Sequence, residues 1–387
     1  MEDTDRLYAT LFQVVRHPRQ WLDIRHAKTL TWMMVGLIHT GVISLTAWAP
    51  FVHGRAVYAQ STVRRFARWL DNDRLQVHQL YGPLIQQALA EWGEHTLYLA
   101  LDTSLLWGCY CVIRIAIIYR GRAVPLVWTV LEHASSSVAY ETYQSLLDRA
   151  AALLPLHCRV VFLADRGFVD TDLLTQLTRL GWHWRIRLKG NLWIYRPGHG
   201  RRKVNRITLA PGHALCWHNV YLTEQRYGPV HVALARRADG AESWFVVSDE
   251  PTTVETFDEY GLRFDIEENF LDEKSNGFQL EASLIRSAEA LSRLCFVLAL
   301  TTLYLVAQGV AVVAEGKRRW VDPHWFRGSS YLKIGWQWVK TALSKGYALL
   351  TRLHLPGGPD PEPARASKQP DRCPPQRSFS VETVRFV

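Results

Sequence analysis

Four residues of this 387-residue chain carry groups and spacings that could do chemistry together: Tyr260, Arg263, Glu267 and Lys274. On a helix of about 3.6 residues per turn, steps of three, four and seven residues return to the same face, so the four line one stripe. A stripe of phenol, guanidinium, carboxylate and ammonium is not a core face. It suits one wall of a site that handles phosphates. Two aspartates upstream complete the set. Asp102 closes the apolar run LYLALD, and Asp165 closes VVFLAD just before Arg166 and Gly167. Both read as short buried strands ending in a carboxylate. In an α/β sheet, residues just past the strand ends line the functional crevice. Asp102, Asp165 and Glu267 would then offer three hard oxygen ligands, which suit Mg²⁺ or Mn²⁺ rather than Zn²⁺. Two such ions about 4 Å apart can clamp the attacking and leaving oxygens of an in-line phosphoryl transfer.

Each residue also has a plainer role when taken alone. A single aspartate after a strand commonly caps a turn or helix. Arg263, four residues before Glu267, suits an i,i+4 ion pair. The shared order and strand contexts are what the plainer roles leave unexplained.

These blocks resemble the DDE transposases of bacterial insertion sequences, specifically the insertion-sequence-four family. Its signature, Tyr-x2-Arg-x3-Glu-x6-Lys, is matched without a gap by residues 260–274, and LALDTS and LADRGF match its two aspartate blocks. The resemblance extends over roughly residues 20 to 310. It implies a ribonuclease-H-like core whose first and fourth strands end in Asp102 and Asp165. It implies that Asp102, Asp165 and Glu267 hold two Mg²⁺ ions, with Mn²⁺ able to substitute, and that Tyr260, Arg263 and Lys274 meet DNA phosphates. The implied reaction is cut-and-paste transposition: cleavage at terminal inverted repeats, through hairpin ends in some members, and joining of 3′-hydroxyls to target DNA. The implied partners are double-stranded DNA and a second copy of the chain in a paired-end homodimer. A domesticated DNA-binding protein, or a ribonuclease-H-like nuclease without strand transfer, would share the core; the intact carboxylates and the full stripe favour transposition.

The order of elements supports the same α/β fold class independently. After the Asp102 strand come apolar runs at 112–119 and 124–130, joined by Arg120-Gly121-Arg122-Ala123, a hairpin signal. A helical stretch at 140–154, the Asp165 strand, a helix at 170–180 and a strand at 182–188 follow. Alternating segments within 189–248 then read as a β insertion. Trp244 lies near its end, either as strand core or, as the resemblance implies, as a ring that stacks on a flipped base. Residues 185–206 carry Arg185, Arg187, Lys189, Arg196, Arg201, Arg202, Lys203 and Arg206 with no acidic residue. Trp184, Trp193 and Tyr195 are interleaved, a mixture suited to phosphates and splayed bases. Arg187 and Lys189, leaving the strand beside Asp165, are the expected DNA contacts.

The resulting layout is a helical DNA-binding domain at 1–92, core segments at 93–188 and 249–316 flanking the insertion at 189–248, a C-terminal helical region at 317–355 and a disordered tail at 356–387. In the first domain, Arg64, Arg65 and Arg68 give one helix a basic face expected to lie on DNA, with Ser61 or Thr62 as its cap. The net charge of +9 and pI near 9.3 favour a polyanionic partner. The six cysteines, Cys109, Cys111, Cys158, Cys216, Cys295 and Cys373, show no ligand spacing and read as reduced thiols of a cytoplasmic protein. Residues 29–54 and 294–313 lack Asp, Glu, Lys and Arg. The first is interrupted by Gly, His and Pro, and the second reads as a core helix, so no membrane span is expected. The first twenty residues show no secretory leader.

Overall fold

The computed structural model describes residues 3–16, 21–54, 56–240, 242–364 and 384–386. The N-terminal part is helical throughout: α1 (Asp3–Arg16), α2 (Ile24–Thr40), α3 (Leu45–Trp48), α4 (Ala59–Leu70) and α5 (Val77–Ala88). Asp23 caps α2 by accepting the Arg25 amide, and Gly41 closes it in the left-handed conformation. The uncharged stretch from residue 29 begins in α2, where Thr29 to Ile38 are buried, and runs on through α3. Neither Ser61 nor Thr62 caps α4. That helix starts two residues earlier, after Tyr58, and Thr62 is buried within it.

One sheet carries all eleven strands among the described residues. The first hairpins are β1 (Thr96–Leu106), β2 (Tyr110–Tyr119) and β3 (Arg122–Glu132). Arg120 and Gly121, both at positive φ, make the tight turn between β2 and β3. Then come α6 (Tyr140–Ala151), β4 (Arg159–Ala164), α7 (Thr171–Arg179) and β5 (His183–Arg187). β4 runs parallel to β1, and β5 runs parallel to β4. β2 is buried on both faces, as its near-continuous apolar sequence requires.

The strands after residue 189 are β6 (Trp193–Arg196), β7 (Gly200–Lys203), β8 (Ala214–Leu222), β9 (Tyr227–Arg236) and β10 (Ser243–Ser248). They extend the same sheet rather than forming a separate one. β10 pairs antiparallel with β5, giving the order β3-β2-β1-β4-β5-β10-β9-β8-β6-β7, and β11 (Val384–Phe386) pairs with β8. Next come α8 (Glu255–Gly261) and α9 (Phe264–Leu271), followed by a π turn at Asp272–Asn276.

Helix α10 (Ala288–Ala314) is capped by Ser287, whose hydroxyl accepts the Ala290 amide. It is long and apolar enough to cross a membrane, yet 89% of its apolar window is buried inside the protein. It is apolar all round because β3, α2, α4, α5 and α11 (Tyr331–Lys345) surround it. α10 and α11 cross closely: a Cβ on Gly309 would stand 2.0 Å from the Tyr331 carbonyl oxygen, and one on Gly335 would stand 1.8 Å from that of Leu305. The start of the expected disordered tail is ordered. Asp360 accepts from Arg327 and Tyr331, and Glu362 pairs with Arg318. Residues 365–383, with Cys373, lie outside the described residues. The other five cysteines are free thiols.

Candidate active site

The sheet register brings the two aspartates together. Leu101 of β1 pairs with Ala164 of β4, the last pair of that parallel ladder. Asp102 and Asp165 are the next residues on neighbouring strands, so they stand at one level on one sheet edge. Asp102 does not end its strand. β2 keeps β1 paired to Leu106, so the carboxylate lies where β4 stops and β1 continues. Successive strand side chains alternate. Thr103 turns to the Ser136 carbonyl ahead of α6, and Asp102 turns to the opposite face, toward Arg263.

α8 and α9 supply the third carboxylate. Arg263 occupies the break between them and joins the set: its Nη1 is 3.6 Å from Asp102 Oδ2, and its Nη2 is 2.7 Å from Glu267 Oε1. The Tyr260 hydroxyl donates to Asp165 Oδ1 at 3.4 Å. Burial raises the Asp102 carboxyl to about 6; Arg263 opposes the shift, while Glu267 and Asp165 add to it. Burial also raises the Tyr260 phenol, to about 12. Burial alone would weaken the charge on Arg263, but Tyr260, Glu267 and Asp102 outweigh it and hold the guanidinium firmly protonated. Three carboxylates thus share one buried cation, and added positive charge at this point would relieve their repulsion.

The stripe expected from the sequence is not one continuous face. The helix breaks at Leu262–Arg263 and opens into the π turn before Lys274. Tyr260 is fully buried and Arg263 is 3% exposed, so both turn inward to hold carboxylates and neither presents a DNA-facing surface. Lys274 reaches back to β1, where its Nζ donates to the Leu105 carbonyl.

Other expected contacts are redistributed. Arg187 stands at the Asp165 level, but its guanidinium is taken by Glu242 at 2.8 Å and the Ser243 carbonyl at 3.0 Å. Lys189 follows β5 and is half-buried. Trp244 is strand core: it is 7% exposed and meets the edge of Tyr260 at 5.5 Å between centroids, so its ring is not presented to a base. Arg185 and Trp184 are buried as well. Further on, Arg201 and Arg202 are exposed; Arg201 and Lys203 cover the half-buried Trp193, and Arg196 covers the buried Trp217. On α4, Arg64 and Arg68 are exposed, but Arg65 turns inward over Phe66 and near Tyr8.

The sequence reading missed Arg114, Asn269 and Glu273. Arg114 on β2 lies opposite Asp102 and is 1% exposed. Its Nη1 donates to Asn269 at 2.7 Å and to Glu273 at 2.8 Å, and its Nη2 donates to Glu273 at 2.8 Å. This fork ties α9 and the π turn to the strand beside Asp102. The signal was present: Arg114 is the lone charge in an otherwise apolar strand, and a buried charge requires a partner.

Another group, His183, Asp249 and Glu250, has potential ligand atoms within 4.8 Å of one another. It lies at the opposite end of β5, because His183 opens that strand and Arg187 closes it. Its carboxylates already hold Arg159 and Arg185. This is an ion-pair cluster remote from Asp102.

Residues 108–304 match the family model for the transposase DDE domain, about half of the chain. The chain belongs to this family and is a DDE transposase, of the class that carries out DNA transposition and recombination. The matched stretch includes Asp165 and Glu267 and begins just after Asp102. A comparison with curated proteins finds no match. A cryo-EM structure of the piggyBac transposase synaptic complex with hairpin DNA aligns over 89% of this chain and 78% of that chain, at 10% identity and a TM-score of 0.47. A likeness of that size carries no functional weight.

Proposed function

We propose that this protein is a cut-and-paste DNA transposase of the insertion-sequence-four type, with Asp102, Asp165 and Glu267 as its catalytic carboxylates. One observation carries the reading: Asp102 and Asp165 follow the last β1–β4 pair at one level, and Arg263 links Asp102 to Glu267. The first five strands, in the order β3-β2-β1-β4-β5, support a ribonuclease-H-like core.

The three carboxylates fit a pair of Mg²⁺ or Mn²⁺ ions, because the donors are hard oxygens and their own repulsion calls for cationic charge. Bound there, divalent ions would activate the attacking oxygen and stabilise the leaving one. The chain's own residues do the rest. Arg114 fixes α9 to β2, Tyr260 orients Asp165, and Arg263 sets the spacing of Asp102 and Glu267. Lys274, at the rim, meets the DNA phosphate. Arg64 and Arg68 engage the terminal repeats, and the exposed basic groups on β7 engage the flank.

Cutting both ends of an element together requires a second copy, so the working unit is a homodimer on double-stranded DNA in the bacterial cytoplasm. Excision through hairpin ends belongs to this reading, but Trp244 does not supply its stacking ring in the packed arrangement. The test is cleavage of DNA carrying the gene's flanks, followed by transfer into a target plasmid. Metal-dependent cutting without joining would reduce the protein to a nuclease.

A further inference from the structure

The turn between β1 and β2 carries a residue that its backbone does not favour. Trp107 and Gly108 both have positive φ, 50° and 67°. The Cys109 amide donates to the Leu106 carbonyl at 3.1 Å. Such turns are ordinarily built from Asn, Asp and Gly, and a bulky aromatic in the left-handed region is costly. The surroundings hold it there. Its Nε1 donates to the Glu281 carbonyl at 2.9 Å, Tyr110 meets it edge-on, and the Arg286 guanidinium lies 3.8 Å from its ring centroid. Trp107 is half-buried, Arg286 is exposed, and neighbouring Leu284 is 90% exposed.

This cluster lies further along the segment that carries Asp102. Trp107 follows Asp102 by five residues along β1, a span of about 16 Å at most. Lys274, the last residue of the signature, reaches this cluster: its Nζ donates to the Leu105 carbonyl and lies 3.8 Å from Glu281. Strained residues persist where their surroundings over-determine them, and they concentrate at ligand clamps and active sites.

We propose that Trp107 and Arg286 form a stacking platform for an unpaired DNA base on the Lys274 side of the site. The proposal rests on the transposase reading above. Indole faces and guanidinium planes both stack bases, and the Arg286 charge suits the adjacent phosphate. A paired base within a duplex has both faces covered, so the platform takes a base at an opened or freshly cut end.

The test uses the full chain without metal. Anisotropy at fixed salt compares a labelled single-stranded oligonucleotide with the blunt duplex of the same sequence. Trp107→Asn removes the ring and suits the turn, and Arg286→Gln removes the second layer. Trp107→Asn should melt close to the wild type and bind the single strand about tenfold more weakly, with a smaller loss on the duplex. Arg286→Gln should lose single-strand affinity in the same direction. Unchanged single-strand affinity in both variants overturns the platform, and so does an equal loss on strand and duplex. Flank cleavage by the wild type is scored separately. Cutting by the wild type with unaltered binding in the variants sinks the platform alone. Weaker single-strand binding in the variants beside a wild type that never cuts sinks the transposase reading alone.

Discussion

Arg263 Nη1 stands 3.6 Å from Asp102 Oδ2, so a buried guanidinium serves as the resident counter-ion of the carboxylate on β1. The same side chain holds Glu267 at 2.7 Å. One cation therefore balances three neighbouring carboxylates, and the site carries an electrostatic cost in the folded protein. Several of its properties follow from that imbalance.

Asp102→Asn should stabilise the metal-free protein while abolishing cleavage. The carboxyl of Asp102 is raised from 3.8 to about 6, mainly by burial. Its stabilising contribution is therefore fully present below the ordinary value and is lost as pH rises through about 6. Two pH units correspond to roughly 3 kcal/mol at most. Thermal unfolding of both proteins across this range should show the variant more stable at pH 8, with the gap closing toward pH 4. Added Mg²⁺ should stabilise the wild type and not the variant. A gap independent of pH would show that Asp102 is not strained by its charge.

The Arg114–Glu273 fork is a buried ion pair with both partners almost fully covered. Removing one partner leaves the other charge stranded, at a cost of about 3–5 kcal/mol. Glu273→Ala should therefore lower the melting temperature sharply and loosen the π turn that carries Lys274. Replacing both members together with apolar residues of similar size should cost much less. Denaturant unfolding of the two single variants and the double variant measures the coupling, and additive losses would contradict a direct pair.

Trp244→Ala should act through stability. The ring fills a small cluster with Ala233, Ala235, Val246, Phe257 and Tyr260. Its truncation should cost about 3–5 kcal/mol and free Tyr260 from its place beside Asp165. Chemical denaturation reads the loss. A variant of wild-type stability that fails only at hairpin formation would place Trp244 on the DNA instead.

Much of this arrangement was legible in the chain, for local reasons. Asp102 and Asp165 stand out because apolar runs of strand length precede them, and Glu267 because its neighbours set a helical spacing. The alternation of apolar runs and turn signals gave the order from β1 to β5. The inward turn of Tyr260 and Arg263 was not legible, because spacing fixes a helix face but not what packs against it. The break at Leu262–Arg263 and the π turn further rotate the stripe. Arg65 turned inward for a similar reason, against α1. The continuity of the insertion with the main sheet depends on β5 meeting β10 across a long stretch of chain, and no local pattern encodes that pairing. Arg114 was readable in principle, as a charge that an apolar strand could bury only with a partner.

The most direct test of the central claim compares wild type and Glu267→Gln on DNA carrying the gene's flanks, with Mg²⁺ or Mn²⁺, scoring binding and cleavage in the same samples. The account predicts equal binding by both proteins and metal-dependent cutting at the repeat ends by the wild type alone. Cutting by Glu267→Gln at the wild-type rate would contradict the assignment and pass the role to another carboxylate, with Glu268 next in line.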